Sequence, residues 1–581
     1  MPSVITVPGF LGGSSKSDVM MDSPEELLNM FVEKKESAEP RGYTQKTLRS
    51  VEGERAVLEF PFETRIGCRG LFTASDGTMF AAFDSAVYRI GRNDDGTLSS
   101  TRIASLMSRP AQVVFSETGG INPHVVWVDG SSFLYAYSLK DGSFRQFSTP
   151  LRTYRSVDGN ENPSIGETHA TPSHVVCLSG VICINDSEND TWYYTDPYVL
   201  GGTSYERKVY RLVNGQVQYG PDGVTVLTDT VNIASEADNN VCYLWLDRYS
   251  LPKFQTAEYV ADRITAMVLC NDRIYCFGTK SLQVYTPTMT EDAYGNSYSV
   301  FSSTGNNTRD NGAEIGSTVA TLGGKVFWLG SSTIGDHSVW VSDGGAPVRI
   351  SSNSIERELR GFGNISDAYS FAYAYNGHQF YVLTVPGADK TYCYDATTSE
   401  WFNRSTRDHD TGLDRYWAPS FATAAYGGIY LGSYYASSLM VVDPDKFTDF
   451  KDDPIVKRRT SPVFVKDFAP FRLDAFWMEW NVGTTTQRNP VQNPEFDGYV
   501  SEFNPVAMLE CSNDGGNTWG MERWAHAGKI GQYFWRTEWR GGFPCGGYQL
   551  PRMYVLRLTI SDPVKVVITA AKMQITQTRR P

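Results

Sequence analysis

The sequence lacks the short patterns that identify many enzymes and metalloproteins. It has no G-x-x-x-x-G-K-[ST] phosphate loop, no G-x-S-x-G nucleophile turn and no H-E-x-x-H zinc helix. Its seven histidines never fall at the H-x-x-x-H spacing that places two metal ligands on one helix face. We therefore predict no metal site, no cofactor and no catalytic residue.

Cysteine is scarce, and its spacing is uninformative for metal binding. The nine cysteines are odd in number and form no C-x-x-C pair, which fits neither a complete disulfide framework nor a zinc site. Cys177, Cys183, Cys270 and Cys276 lie within apolar strand patterns. We expect reduced, buried cysteines in a protein made in a cytosol.

Two targeting features are also missing, and basic charge is in deficit. No basic segment followed by an apolar run opens the sequence, and no apolar run is long enough to cross a bilayer, so we expect no signal peptide and no membrane span. The chain has 52 Lys and Arg against 65 Asp and Glu, a net charge of −13. This balance disfavours a protein that grips nucleic acid. It suits ordinary solubility or a surface that must repel DNA.

Aromatic residues and glycine are abundant and recur in a repeat. Each unit contains apolar strands separated by short turns such as SDG, KDG, YNG and YGG. Five of the six steps between unit starts have nearly the same length, roughly 50 residues, which is close to one four-stranded propeller blade. The units start at Leu71, Pro123, Ser173, Ile264, Gly316, Phe371 and Ser420.

These units predict an all-β protein built on a β-propeller of six or seven blades. One unit is expected to be split, so that a late strand closes the ring against an early one. The long step contains residues 201–250, which we interpret as an inserted β-lobe. Two stacked β-sandwiches are the alternative architecture, and the regular spacing disfavours it.

The two ends fall outside the repeat. The segment Ser23–Glu36 predicts a short helix, because Ser23 suits an N-cap and Pro24 the first helical position. The segment that follows the last unit predicts a C-terminal β-unit. The expected division is an irregular N-terminal arm with a short helix at 1–60, first blades at 61–200, an inserted lobe at 201–255, remaining blades at 256–450 and the C-terminal unit at 451–581.

The stretch SNDGGNTW fits the Asp-box pattern S-x-D-x-G-x-T-W of sialidases and other propeller proteins. Its Asp accepts hydrogen bonds from its own loop, and its glycine adopts a backbone angle that a Cβ would resist. We expect a structural hairpin in which Thr and Trp begin the next strand. The residues are Ser512, Asp514, Gly516, Thr518 and Trp519.

Several weaker features suggest chemistry or binding. A sialidase needs three converging arginines and usually an Arg-Ile-Pro, whereas this chain has Arg65-Ile66-Gly67. The acidic segments Asp408–Asp410 and Asp443–Asp453 resemble metal or acid–base clusters, although solvated surface is the commoner interpretation. The basic run Lys457–Arg459 suits contact with DNA or an acidic partner, or a solvated edge.

Seven segments lie in order along nearly the whole chain. They are LLNMFVE from Leu27, TLRSVEG from Thr47, the first blade from Arg69, NDRIYCFGTKSLQVYTPT from Asn271, the strand pair from Val326, TYCYDATTSEWF from Thr391 and the final VKVVITAAKMQI. In their order and spacing, these segments resemble the packaged-DNA stabilisation proteins of short-tailed phages, the tail accessory factors that form the tail nozzle.

This resemblance implies a structural virion protein of the phage tail and no catalytic residues. It implies a homo-hexameric ring below the portal and its adaptor, which retains packaged double-stranded DNA, conducts it during ejection and mounts needle, tailspike or fibre proteins. The inserted lobe is expected to contact a neighbour or a fibre, or only to decorate a blade. The alternatives are a propeller glycosidase and a non-catalytic glycan-binding tail protein.

Overall fold

A computed structural model describes most of the chain, and strands predominate in it. One α-helix, Asn353–Gly361, and three short 3₁₀ turns, Tyr243–Trp245, Gly316–Thr318 and Pro386–Ala388, occur in this part. The described residues are 2–16, 24–35, 45–107, 111–157, 163–200, 206–233, 243–247, 249, 251–257, 259–260, 262–291, 297–305, 307–309, 311–331, 337–408, 410–466, 469–482, 491–493, 498–500, 505–527, 536–541, 543 and 551–577.

Within these residues, seven sheets of four main strands form the blades of a propeller. Blade one is Cys68–Thr73, Met79–Phe83, Ala86–Arg92 and Leu98–Ser105; blade two is Val114–Glu117, His124–Val128, Phe133–Ser138 and Phe144–Ser148; blade three is Val175–Leu178, Val181–Asn185, Thr191–Tyr194 and Phe254–Thr256. Blade four is Ile264–Cys270, Arg273–Gly278, Ser281–Glu291 and Ser297–Ser303, with Thr308–Arg309 added; blade five is Ala320–Leu322, Lys325–Ser331, His337–Ser342 and Val348–Arg349. Blade six is Tyr369–Tyr375, His378–Val385, Lys390–Asp395 and Glu400–Arg407, with Asp414–Tyr416 added; blade seven is Phe421–Ala425, Gly428–Gly432, Ser438–Asp443 and the early strand Gly53–Glu59.

The ring closes through blade seven, which confirms the predicted split unit. Gly53–Glu59 pairs antiparallel with Ser438–Asp443, so the early strand completes a sheet whose other three strands come late in the sequence. The first strand of each blade neighbours that of the next, and that of blade seven adjoins that of blade one. Closure leaves no blade without neighbours on both faces, which removes a route to aggregation.

The turns between strands have the backbone geometry that the sequence predicts. In the YNG turn, Asn376 and Gly377 have φ values of 50° and 83°. Two successive positive φ angles define the type I′ hairpin, whose twist matches that of the flanking strands. Asparagine tolerates this region, and glycine enters it without steric cost.

An apolar cluster fills the interface between each blade and the next. Between blades one and two, for example, Phe80 and Trp127 are fully buried, and Phe277 and Trp328 pack at 5.1 Å between blades four and five. Aromatic side chains bury a large area per residue, so one or two rings per interface stabilise each contact. The high aromatic content of the sequence is therefore used mainly between the blades.

The inserted lobe follows the third strand of blade three. It contains two small sheets, Glu206–Tyr210 with Thr228–Asn232 and Leu212–Val213 with Gln216–Val217. Two further strand pairs lie outside the blades. Leu151–Val157 pairs with Pro163–His169 between blades two and three, and Val491–Asn493 pairs with Gly498–Val500 late in the chain.

Both ends of the chain together build a β-sandwich beside the propeller. One sheet contains Pro2–Thr6, Met30–Lys35, Gln45–Ser50, Phe471–Val482, Arg536–Arg540 and Val566–Gln577. The other contains Ser15–Lys16, Pro24–Leu28, Lys457–Thr460, Phe464–Val465, Val506–Ser512, Arg523–His526 and Met553–Ile560. One continuous apolar cluster joins this sandwich to blades six and seven.

The predicted helix at Ser23–Glu36 is wrong, and so is the irregular N-terminal arm. The described residues there form two strands, Pro24–Leu28 and Met30–Lys35, separated by Asn29. Asn29 has a φ of 54°, and its amide donates to the Val456 carbonyl at 2.8 Å. The chain turns at Asn29 from one sheet of the sandwich into the other. Pairing with distant strands therefore overrides a local helical pattern. The other predicted domain boundaries remain a proposal.

The sandwich and the propeller share a sheet, and a buried ion pair inside the propeller lies close to this junction. Leu28 pairs in parallel register with Asn403 on the outer strand of blade six, so one sheet runs from the blade into the sandwich. Nearby, Arg404 donates to Glu54 at 2.9 Å, and Trp417 Nε1 donates to the same carboxylate oxygen at 2.8 Å. The guanidinium also lies 3.5 Å over the Trp417 ring. These contacts fix the closing strand to blade six.

Candidate functional site

The Asp-box lies in the sandwich, outside the described propeller blades. It forms the loop between the strands Val506–Ser512 and Arg523–His526. Thr518 and Trp519 precede that second strand and do not begin it, contrary to the sequence-based expectation. The motif therefore folds one hairpin of the second domain, and its presence does not mark a blade.

The hydrogen bonds of the box are local. Ser512 Oγ donates to Asp514 Oδ1 at 2.7 Å and accepts from the Gly516 N–H at 2.8 Å. Thr518 donates to the Asp514 carboxylate through its N–H at 2.9 Å and its hydroxyl at 2.5 Å. Burial raises the pKa of Asp514, but these hydrogen bonds outweigh it and bring the pKa to about 2. All of these donors hold a turn together, so the carboxylate is engaged in folding.

The box also contacts the rest of the molecule. Gly516 has a φ of +94°, and a Cβ there would lie 3.3 Å from Pro24, so glycine suits both the angle and the close approach. The Arg557 guanidinium lies 3.9 Å over the Trp519 ring and donates to Glu510 at 2.7 Å. The Asp-box loop therefore packs against the strand Pro24–Leu28 and against Arg557.

A small cavity of 170 Å³ lies between the Asp-box, the N-terminal strand and blade six. Glu25, Glu26 and Glu358 line it together with Lys390 and Arg557. In its wall, Tyr392 donates to Glu358 at 2.6 Å. Burial raises the pKa of Tyr392, and the negative charge of Glu358 raises it further. The cavity mixes both signs of charge at the junction of the two domains.

The basic run does not form the predicted DNA-contacting or solvated edge. Arg459 is fully buried and donates to the carbonyls of Phe10, Gly13 and Gly9 at 2.7, 3.0 and 2.7 Å. Lys457 is buried and donates to the Asp562 carbonyl at 2.9 Å. The intervening Arg458 points to Asp414, 3.0 Å away. Alternation along a strand explains this arrangement, because successive side chains face opposite sides of the sheet.

Burial also changes the protonation of this run. It lowers the pKa of Lys457 to about 7 and that of Arg459 to about 10, and it outweighs the carboxylates that oppose the change, Asp562 for Lys457 and chiefly Glu25 for Arg459. Lys457 therefore loses its proton in the folded protein near neutral pH. Lys457 and Arg459 therefore stabilise the fold, and their side chains are not available to a partner.

We expect Lys457 to make stability depend on pH. The unfolded lysine keeps its proton up to about pH 10.5, whereas the folded one releases it above about pH 7. The unfolded state binds more protons in this window, so the free energy of unfolding rises with pH there, by up to about 1.4 kcal/mol per pH unit. Below pH 7 both states are protonated and the contribution to the slope vanishes.

Substitution isolates this contribution. Urea denaturation at pH 7, 8, 9 and 10 measures the free energy of unfolding. Between pH 7 and pH 10 this free energy should rise less in Lys457→Met than in the unsubstituted protein. Lys140→Met, at an exposed position, should follow the unsubstituted protein. Parallel pH profiles for the protein and Lys457→Met would contradict a depressed lysine pKa.

The histidines and cysteines form no metal centre in the described part of the chain. His378 contacts the Asp395 carboxylate at 2.7 Å and stacks on Phe380, and His174 is buried with its pKa lowered to about 4 by burial. His409 lies outside the described residues. The seven described cysteines are buried and free of disulfides, in line with the sequence.

The two acidic segments converge, which the sequence did not indicate. Asp408 and Asp410 from the first, and Asp449 and Asp453 from the second, line one cleft between blades six and seven. Three strands of blade seven separate the two segments along the chain, so nothing in the local sequence connects them. Arg65, in contrast, lies in an exposed turn before blade one and does not line this cleft.

The inserted lobe exposes apolar side chains. Val224, in a turn, is 79% exposed, and Val213 and Tyr219 of the same lobe are also exposed. Exposed apolar side chains of this kind suit contact with another protein surface.

None of the helices formed by the described residues has the length and apolar character needed to span a bilayer.

Comparison with known families gives two matches in chain order. A family model described as "Bacteriophage P22 Gp10, beta-propeller" matches residues 223–446, and one described as "Bacteriophage P22 Gp10, beta-sandwich" matches residues 476–576. Together they span more than half of the chain. In the structure, blades one and two, the first three strands of blade three and the closing strand of blade seven lie on the N-terminal side of the matched part. A search of curated proteins finds no match.

Solved structures give only distant similarities. The computationally designed Ika8 protein aligns over 68% of this chain and 100% of its own at 11% identity, with a TM-score of 0.31. A streptogramin B lyase aligns over 74% and 99% at 9% identity, with a TM-score of 0.26. The virginiamycin B lyase of Staphylococcus aureus aligns over 67% and 97% at 10% identity, with a TM-score of 0.27. Scores this low do not establish a shared fold.

Proposed function

The chain belongs to the bacteriophage P22 Gp10 family of structural tail proteins, and on this premise we propose that it forms the ring-shaped nozzle of a phage tail. In this proposal six copies assemble below the portal and its adaptor ring. The ring retains packaged double-stranded DNA and conducts it during ejection. It also mounts needle, tailspike or fibre proteins on the virion tail, after synthesis in the host cytoplasm.

The observation that carries this proposal is the ordered pair of family matches on a propeller and a sandwich. The two domains share a sheet through Leu28 and Asn403, and one continuous apolar cluster packs the sandwich against blades six and seven. A subunit of a ring that transmits force between neighbours benefits from such a stiff junction, since hinged domains would let the ring deform. A closed ring requires a heterologous interface between two different surfaces of the chain.

Charge supports passage of DNA without binding. Each chain carries a net charge of −13, and six copies around a lumen would repel phosphate rather than retain it. In the basic run, Lys457 and Arg459 are buried and Arg458 pairs with Asp414, so the run offers little positive charge to the DNA backbone. We therefore propose transient passage of DNA with no sequence-specific contact.

We propose a structural rather than a catalytic role. The feature that suggested a glycosidase, the Asp-box, serves a hairpin of the sandwich, and its Asp514 is engaged by Ser512 and Thr518. The inserted lobe is our candidate for the contact with a neighbouring subunit or a fibre, because it carries exposed apolar residues on short hairpins.

The decisive experiment is the mass of the purified protein by light scattering, alone and with a candidate adaptor ring. We expect either six times the 64.7 kDa of one chain or a monomer that becomes a ring only on the adaptor. Val224→Asp should weaken this assembly if the inserted lobe joins subunits, whereas Ile121→Asp, at a 94% exposed loop position of blade two, should not. A monomer that ignores the adaptor and cleaves a sialoside would refute the nozzle.

A further inference from the structure

A wide cleft opens between blades six and seven, on the side of the ring that carries the loop between the second and third strands of each blade. We name it the acidic cleft. Its volume is 830 Å³, large enough for several side chains. Five aspartates line it: Asp389, Asp408, Asp410, Asp449 and Asp453.

The charges of the acidic cleft are only partly balanced from within. Arg415 pairs with Asp389 at 2.6 Å and approaches Asp408 at 3.6 Å. Arg407, also in the lining, pairs with Asp414 at 3.1 Å, and the remaining base, Lys451, is exposed. Three carboxylates are left without an ion pair within the described residues: Asp410, Asp449 and Asp453. The cleft therefore keeps an excess of negative charge.

Asp449 is buried, and one of its two carboxylate oxygens has no hydrogen-bond partner among the described residues. It is 4% exposed, and its Oδ1 accepts the N–H groups of Lys451 and Asp453 at 2.8 and 2.9 Å. Its Oδ2 has no hydrogen-bond partner among the described residues. Oδ2 is itself out of contact with solvent, so a donor from the cleft would reach it only after a small shift of the turn at Asp449–Asp453. Burial raises the pKa of Asp449, so a cation placed beside this carboxylate would stabilise its charged form.

Aromatic rings complete the lining and favour an organic cation. Tyr435 is 62% exposed, Phe62 is 39% exposed, and Tyr416 lies behind Tyr435 at 6.3 Å between ring centroids. A guanidinium or ammonium group is attracted both to carboxylates and to aromatic faces. A divalent metal instead needs several oxygens around one point, and the described residues contain no group of three suitable ligands.

We propose that the acidic cleft receives an arginine or lysine side chain presented by a partner protein. Arginine is the better fit, because its planar guanidinium can bond to carboxylates with its edges while it stacks on Tyr435 with its face. The proposal concerns a site on a single chain, and it holds whether or not the chain forms a ring.

The test uses the purified full-length chain and two peptides of equal size. A fluorescently labelled acetyl-Gly-Arg-Gly-amide should bind at low salt, as measured by fluorescence anisotropy, and the citrulline peptide, which is neutral, should not. Asp410→Asn and Tyr435→Ala should each weaken binding by about threefold to tenfold. Both positions are exposed, so circular dichroism should show an unchanged fold. Asp94→Asn removes the same charge from an exposed hairpin of blade one and should leave binding unchanged.

Several results would overturn the proposal. These are no binding of the arginine peptide, equal binding of the citrulline peptide, or equal weakening by Asp94→Asn, which would indicate only the general negative field. Stoichiometric binding of Ca²⁺ that displaces the peptide would assign the cleft to a metal instead. None of these results bears on the mass of the assembly, so this proposal and the nozzle can fail separately.

Discussion

Replacing Glu54 by leucine is expected to lower the free energy of unfolding by about 3–5 kcal/mol, because it leaves the buried Arg404 without its charged partner. Trp417 Nε1 loses its acceptor in the same change. Burial raises the pKa of Glu54 while Arg404 opposes that rise, so the carboxylate depends on the guanidinium beside it. Urea denaturation followed by tryptophan fluorescence measures the loss.

Two further variants make this result specific. Arg407→Gln breaks a partly exposed ion pair with Asp414 on the same strand as Arg404, and it should cost less than about 1 kcal/mol. The double variant Glu54→Leu/Arg404→Leu should recover much of the loss, since an apolar pair leaves no unpaired charge. If Glu54→Leu costs no more than Arg407→Gln, the pair does not hold the closing strand.

Replacing Arg459 by leucine is the second substitution with a large expected effect. Its guanidinium donates to the carbonyls of Gly9, Phe10 and Gly13, and all three lie in the N-terminal segment. Each buried acceptor left unpaired costs about 1–3 kcal/mol, so we expect a loss of about 3 kcal/mol or more. Hydrogen exchange should rise first in residues 2–16, because their attachment to the sandwich depends on this side chain.

Arg458→Leu is the matched control for that experiment. It removes the same type of side chain from the adjacent position, but Arg458 faces the other side of the strand and pairs with Asp414. We expect a much smaller loss of stability and no change in exchange at residues 2–16. Equal effects of the two variants would mean that strand pairing, and not the buried guanidinium, holds the N-terminal segment.

The repeat was readable from the sequence because each blade is a local structure. Strand alternation and turn residues such as Asn376-Gly377 act over a few neighbours, so period and fold class follow from them. The split blade was also predictable, since seven units and a propeller imply closure. The Asp-box residues could be named for the same reason, because their hydrogen bonds span only positions 512–518.

Long-range pairing decided the features that local patterns described wrongly. The segment around Asn29 has helical character, yet its first half pairs with the distant strand Lys457–Thr460 and its second half with Gln45–Ser50, in different sheets. The run at Lys457–Arg459 has surface composition, yet two of its three side chains are buried because carbonyls from the N-terminal segment and from Asp562 receive them. Local propensity amounts to tenths of a kcal/mol per residue, and burial with satisfied hydrogen bonds exceeds it.

The sequence by itself determined the all-β class, the blade period, the turn chemistry and the resemblance to a phage tail family, because each depends on residues close together in the chain. Only the tertiary structure decided that both chain ends share one sandwich, that Glu54 meets Arg404, and that two acidic segments line one cleft. These features depend on which distant strands pair. That choice is set by the summed burial of the whole core, which no single segment contains.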